Sequence, residues 1–230
     1  WKETLELQHN QEQLLLNIGC TDSLNIAVFV PLYDKILMNY PHLDLSIQSH
    51  HSSELYGMLS EHNIDIGFVY HQLHYKNIIS EKLFEEKLYL VQSEHPAVEK
   101  PIVHTDELDS TKELFLSWDD NFQIWHDRWL SSVSRPHISA DTITLLDRLW
   151  KNADTWMIAP ESVIHELSRY RKVYVSELKN PAPNRICYKI KHKYPKTTSK
   201  RAVELFEEIL EQLLHLERKK IPIGEIWGGR

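Results

Sequence analysis

The strongest constraint on the fold is the order of apolar patterns before residue 70. Residues 14–19 form a short apolar run ending in glycine, the pattern of a buried strand. Thr21, Asp22 or Ser23 can cap a helix that carries Leu24, Val28, Leu32 and Ile36 at four-residue spacing. Pro31 falls inside that helix and should kink it or shift its start. Leu43, Leu45 and Ile47 alternate with Asp44 and Ser46, as in a half-buried strand. Ser52 or Ser53 caps the next helix, with Leu55, Met58 and Leu59 inward, and residues 64–69 form a third strand. Strand, helix, strand, helix, strand implies right-handed crossovers and a parallel sheet.

The middle changes character. Residues 78–92 are strand-like with a bend expected near Glu85-Glu86, and 114–117 form a short strand. Phe122, Trp125 and Trp129 have helical spacing over 122–130. A strand at 137–140 leads to a helix capped by Asp141, bearing Ile143, Leu146, Leu149 and Trp150. A strand at 156–159 precedes Pro160, which suits a first helical turn before Val163, Ile164 and Leu167. Strands at 173–175 and 186–190 follow. Thr198 or Ser199 then opens a final helix with Val203, Phe206, Leu210 and Leu213 on one face.

The class is α/β, with two units and the second inserted into the first. Residues 1–13 read as the end of a helix, 14–69 plus 194–220 as the first lobe, 70–193 as the second, and 221–230 as a tail.

Charge narrows the function. There are 26 Lys and Arg against 33 Asp and Glu, so an acidic chain of net charge −7 is a poor phosphate binder. No apolar run approaches the roughly 18 residues of a membrane span. Two cysteines, Cys20 and Cys187, make no disulfide framework, which points to a reduced, cytoplasmic setting. The fourteen histidines include only two close pairs, His50-His51 and His71-x-x-His74, and neither has a Cys or carboxylate at a zinc spacing. No metal and no cofactor are expected.

Several phrases resemble one family. Leu16-Asn17-Ile18-Gly19, then Tyr40-Pro41-x-Leu43-x-Leu45, resembles the opening of the effector-binding domain of LysR-type transcriptional regulators. So do Glu54-Leu55-x-x-x-Leu59 with Ile64-Asp65-Ile66-Gly67, residues 83–91 with His95-Pro96, and Ile158-Ala159-Pro160-Glu161-Ser162. The resemblance covers residues 14–216. It departs where the family has glycines before the late strand and this chain has Asn152-Ala153-Asp154-Thr155-Trp156. With only 6 glycines, several loops must use other residues.

The resemblance implies a fold like type 2 periplasmic binding proteins. Two Rossmann-like lobes would be joined by two crossover strands, near Phe68-Val69-Tyr70 and residues 191–194, with a small effector in the cleft. Phe68, Val69 and Tyr70 would serve as hinge. Ligands collect beyond the carboxyl ends of parallel strands, where helix N-termini offer free N–H groups. Four loops qualify: Cys20-Thr21-Asp22-Ser23, His51-Ser52-Ser53, Ser117-Trp118-Asp119-Asp120 and Asp141-Thr142. Thr21, Ser23, Ser52 and Asp141 can equally be caps and nothing more. Trp118 can be core or a wall of the pocket. Cys20 can be a buried apolar residue, or a redox sensor if exposed with its thiolate favoured.

Asp22, Asp119, Asp120 and Asp141 lie near the expected cleft and would repel an anion, so a zwitterionic, cationic or hydroxylated effector is expected. Effector binding would shift a balance between lobe arrangements and relay it to a DNA-binding winged helix-turn-helix, the part through which DNA would be bound. The resemblance also implies a homodimer or homotetramer, through the helices over 24–39 and 122–130. A periplasmic-type solute-binding protein would share this fold and cleft. An enzyme of the same fold is disfavoured, because no Ser–His–Asp order, Gly-rich phosphate loop or metal motif stands out.

Overall fold

The computed structural model describes residues 13–93, 100–130, 136–152 and 154–217. The expected helix over 1–13 (but for Gln13), the His95-Pro96 turn and the tail at 221–230 lie outside the described residues. The chain divides into two compact units.

Unit 1 is built on a five-stranded sheet in the order β2-β1-β3-β11-β4. Here β1 is Leu14–Cys20, β2 Leu43–Ser49, β3 Ile66–Val69, β4 Ile78–Glu86 and β11 Arg185–His192. β1 runs parallel to both β2 and β3, as the crossover pattern requires, and β11 runs antiparallel to β3. β3 is buried along its whole length, and β1 has Leu14, Leu16 and Ile18 inside. β2 is an edge strand whose Ile47 is exposed. Gly19 is required for packing. A Cβ there would lie 2.5 Å from both Ile64 Cδ1 and Leu55 Cδ2, so these two buried side chains would have to shift.

The first long helix departs from expectation. The segment Asp22–Leu24 is a single α-turn, Asn25–Phe29 is π-helical, and only Val30–Asn39 (α1) is regular. Pro31 sits in the first turn of α1, where its missing N–H costs nothing. The wider π-turn lies between. It coincides with a division of the chain: residues 22–27 cluster with unit 2, whereas α1 belongs to unit 1.

The second helix, Ser52–Ser60 (α2), is capped by His51, not by Ser52 or Ser53, and His51 N–H donates to Glu54 Oε2 at 3.1 Å. Glycine scarcity is met by His62 and Asn77, which take φ of 57° and 61°, values that L residues other than Asn and Asp seldom adopt. The final helix, Thr197–Glu217 (α6), packs on β1 with Ala202, Val203, Phe206 and Leu210 buried.

One ion cluster ties α6 to the sheet. Glu207 accepts from Lys189 and from Lys191, the latter at 2.9 Å, and Lys189 also reaches Glu81 at 3.0 Å. Burial alone would raise the Glu207 carboxyl, but the two lysine hydrogen bonds bring it below its ordinary value. A depressed carboxyl stabilises the fold above the unfolded-state pKa and loses that contribution as pH falls through the folded value. Glu207→Gln is therefore expected to cost about 1–2 kcal/mol near neutrality. The gap to the parent should close as the medium is acidified, which denaturant melts at a series of pH values will show.

Unit 2 contains the sheet β6-β10-β5-β9, from Ile102–Val103 (β6), Val173–Leu178 (β10), Leu88–Ser93 (β5) and Trp156–Pro160 (β9). The bend expected near Glu85-Glu86 is the break at Lys87 between β4 and β5. β5 is antiparallel to β9 and β10. Leu114–Phe115 (β7) and Ile138–Ser139 (β8) pair in parallel, and a parallel bridge from Glu113 to Trp156 sets them beside β9. Three helices follow these strands: Asp120–Trp129 (α3), Ile143–Leu149 (α4) and Glu161–Ser168 (α5). The core includes Trp118, Phe122, Trp125, Trp150 and Trp156.

The passages between units differ from those expected. The units part between Glu81 and Lys82, inside β4, and between Cys187 and Tyr188, inside β11. Phe68, Val69 and Tyr70, expected as the hinge, all belong to unit 1. Phe68 and Val69 are fully buried in a strand paired on both sides, where backbone rotation would break ladder bonds.

Candidate functional site

In unit 1 the strand order β2-β1-β3 makes β1 a switch point: the chain leaves it toward one neighbour and returns on the other side. At the carboxyl ends of these strands stand Cys20-Thr21, His50-His51-Ser52 and Tyr70. They are held together by short bonds. His50 N–H donates to Cys20 O at 3.0 Å, and Tyr70 N–H donates to Ser52 Oγ at 3.2 Å. With His51 as cap, Ser52 is released from capping and bridges two strand ends. The Thr21 hydroxyl is buried and has no hydrogen-bond partner among the described residues, an arrangement that costs about 1–3 kcal/mol unless something supplies one.

Cys20 is 0% exposed, so a redox-sensing thiolate at that position lacks the access it needs. Burial, with Cys20 beside it, holds the Tyr33 hydroxyl far above its usual range. Cys187, in unit 2, is equally closed. Its thiol is pushed up by burial first and by Glu86 second, against the pull of Arg185.

In unit 2 the carboxyl ends of β7, β8 and β9 point the same way, because their pairings are parallel. That brings the Ser117-Trp118 loop, Asp141-Thr142 and Glu161-Ser162 to one end. Trp118 is buried core: its indole N–H donates to Ile158 O at 2.7 Å, and the Arg185 guanidinium lies 4.7 Å from its ring centroid. Ser117 is exposed. Asp119 caps α3 by accepting from Phe122 N–H at 2.8 Å. The α4 cap is Thr142, whose hydroxyl accepts from Leu145 N–H at 3.4 Å. Asp141 stands one residue before it, exposed, as a cap must lie next to the first helical residue.

Asp22 belongs to this unit. Its carboxylate accepts from the Thr144 hydroxyl at 2.9 Å and from Thr144 N–H at 3.3 Å, so it satisfies the first turn of α4. Ser23, beside it, is buried.

Two residues escaped the reading of the site. Arg185 is only 3% exposed and lies 3.8 Å from Glu86, itself 5% exposed. Glu86 Oε2 accepts from Ser162 N–H at 3.1 Å, in the first turn of α5. The signal was present as charge inside strands, at Glu86 and just before Ile186.

Residues 9–214 match the family model described as the LysR substrate binding domain. The chain belongs to that family. The HTH-type transcriptional regulator CzcR of Bacillus anthracis is 22% identical over 163 residues, covering 70% of this chain and 54% of that protein, so the chain spans about half of that relative's length. Among solved structures, the regulatory domain of MexT, a transcriptional activator of Pseudomonas aeruginosa, superposes with a TM-score of 0.72 at 11% identity. It covers 86% of this chain and 99% of that one. The OxyR2 regulatory domain of Vibrio vulnificus, as a cysteine-to-serine mutant, gives 0.65 at 18% identity, covering 87% and 96%. Full-length OxyR of Pseudomonas aeruginosa, as a substituted variant, gives 0.70 at 15% identity, covering 95% and 74%. Those identities carry the two-lobed fold and not the ligand. For this LysR domain the ligand question rests on its own residues.

Proposed function

We propose that this LysR substrate-binding domain senses a small effector, with Thr21 and Ser52 as the candidate contacts of unit 1 and Ser117, Asp141 and Thr142 as those of unit 2. Cys20, Asp22, Ser23 and Trp118 act as supports that shape those loops. Binding shifts a conformational balance that reaches a DNA-binding part of the full regulator. A near-complete switch requires about 5 kcal/mol of differential affinity. The reading is of a cytoplasmic sensor without catalytic activity. Among the described residues no helix is long and apolar enough to cross a membrane.

The observation that carries this is the buried Thr21 hydroxyl without a partner among the described residues, at the switch point of a parallel sheet. A hydroxyl there can donate to an oxygen of a ligand. Ser52 accepts from Tyr70 N–H and keeps its own hydrogen to donate. Two O–H donors suit a hydroxylated or zwitterionic molecule. Asp22 and Asp119 already accept helix N–H groups, so they repel an anion less than bare carboxylates would.

Thr21→Val tests this reading. Without ligand the variant should be as stable as the parent or slightly more so, since it removes an unsatisfied buried hydroxyl. Against a panel of amino acids, polyols and dicarboxylates in calorimetric titration, it should bind the active compound about tenfold more weakly, or about 1.4 kcal/mol. Unchanged affinity removes the site. Tight binding of a simple dicarboxylate, with none of amino acids or polyols, removes the ligand class.

Self-association belongs to the same reading. Leu37 and Met38 on α1, and Ile124 and Trp129 on α3, are exposed apolar residues on the two helices proposed as the homodimer or homotetramer surfaces. Sedimentation as a monomer at every concentration would remove that part.

A further inference from the structure

Unit 2 has a pocket of about 220 Å³ that contains none of the proposed effector contacts. Its floor is apolar: Ile26 and Ala27 from the π-turn, Ile143 from α4, and Val163 and Leu167 from α5. The rest of its lining is polar: the charged Asp147, Arg148 and Glu166 with the hydroxyls of Thr144 and Tyr170.

The charges are unequally occupied. Asp147 accepts from Arg171 Nη2 at 2.5 Å and from the Tyr170 hydroxyl at 3.2 Å. Glu166 is paired with Arg169 Nη1 at 2.9 Å. Neither of those arginines lines the pocket, so both acids are neutralised from behind. Arg148 has no ion pair among the described residues. Burial first, and Asp147 second, push the Tyr170 hydroxyl up to about 12, so it remains a donor. Among the charged lining residues, the guanidinium of Arg148 is the one without an ion pair among the described residues. Guanidinium pairs with carboxylate through two parallel N–H···O bonds. The volume is below the roughly 300–1,000 Å³ of drug-sized sites, so the ligand must be small.

We propose that this pocket is a second ligand site of the domain, taking a small apolar carboxylate whose anion sits on Arg148 and whose hydrocarbon body covers Ile26, Ala27, Ile143, Val163 and Leu167. It is independent of the effector reading above. Because Ile26 and Ala27 form one wall, occupancy acts on the same π-turn that connects Asp22 to α1.

The test is a titration of the ¹⁵N-labelled chain with phenylacetate, with phenylacetamide as the uncharged isostere. Phenylacetate at millimolar concentration should shift amides of residues 26–27, 143–148 and 163–170. Phenylacetamide should bind at least about tenfold more weakly, the worth of a charge-assisted pair near 1.4 kcal/mol. Arg148→Gln, an exposed substitution that leaves the core intact, should weaken phenylacetate by a similar factor and leave phenylacetamide unchanged. Arg148→Lys should retain most of the binding. Thr21→Val should change none of it, which separates this site from the effector site. Equal affinity for acid and amide, insensitivity to Arg148→Gln, shifts confined to the strand-end residues, or no shifts at all would each overturn the proposal.

Discussion

His126→Leu should lower the unfolding free energy of unit 2 by about 3–5 kcal/mol, the largest single effect expected in this protein. His126 Nε2 lies 2.8 and 3.0 Å from the two carboxylate oxygens of Glu113, and the pair is nearly closed to solvent, at 6% and 1% exposure. Phe115 and Phe122 pack on the imidazole, with ring centroids 4.5 and 5.9 Å away. Leucine fills the volume but leaves Glu113 as a buried carboxylate without its partner. Replacing both residues, as Glu113→Leu with His126→Leu, should recover most of the loss, because the penalty belongs to the stranded charge. Five of the seven tryptophans, Trp118, Trp125, Trp129, Trp150 and Trp156, are described residues of unit 2, so tryptophan emission in a urea titration reports chiefly on that unit. A double variant no more stable than the single one would show that the cost comes from packing instead.

Arg185→Met is expected to cost about 3 kcal/mol. The guanidinium lies over the Trp118 ring, donates to Trp118 O at 3.3 Å, and faces Glu86 at 3.8 Å. Methionine keeps the stem and removes the charge, so Glu86 stays buried with the pairing lost. Glu86 also holds the first turn of α5 through Ser162 N–H, and the effect should reach that helix. The measurement is the same urea titration, joined by the emission maximum of the folded state, which should move because Trp118 loses its cation. A loss under about 1 kcal/mol would place Arg185 among ordinary surface charges.

The alternating apolar pattern made unit 1 legible almost residue by residue, because burying one face of a parallel sheet under helices leaves little choice at Leu16, Ile18, Leu55 and Phe206. The Lys87 break could be read from charge placed in an apolar run. The caps at His51 and Thr142 could not be separated from Ser52 and Asp141, since neighbouring polar residues compete for one position and backbone geometry decides. The π-turn at Asn25–Phe29 left no mark in the Leu24-Val28-Leu32-Ile36 spacing, which fits a regular helix equally well. The placement of Thr21 and Ser52 at strand ends was legible from topology. Arg185 and Glu86 were not, because their importance comes from partners distant along the chain.

The excursion of residues 22–27 into unit 2 bears on how such regulators can be recombined. Ile26 and Ala27 pack against the core of that unit. A gene segment taken from Lys82 to Cys187 would carry every strand of the sheet around β5 yet lack part of its apolar cover. Chimeras that exchange sensing modules between relatives must therefore graft this distant short stretch as well, or inherit a sticky seam where it belongs.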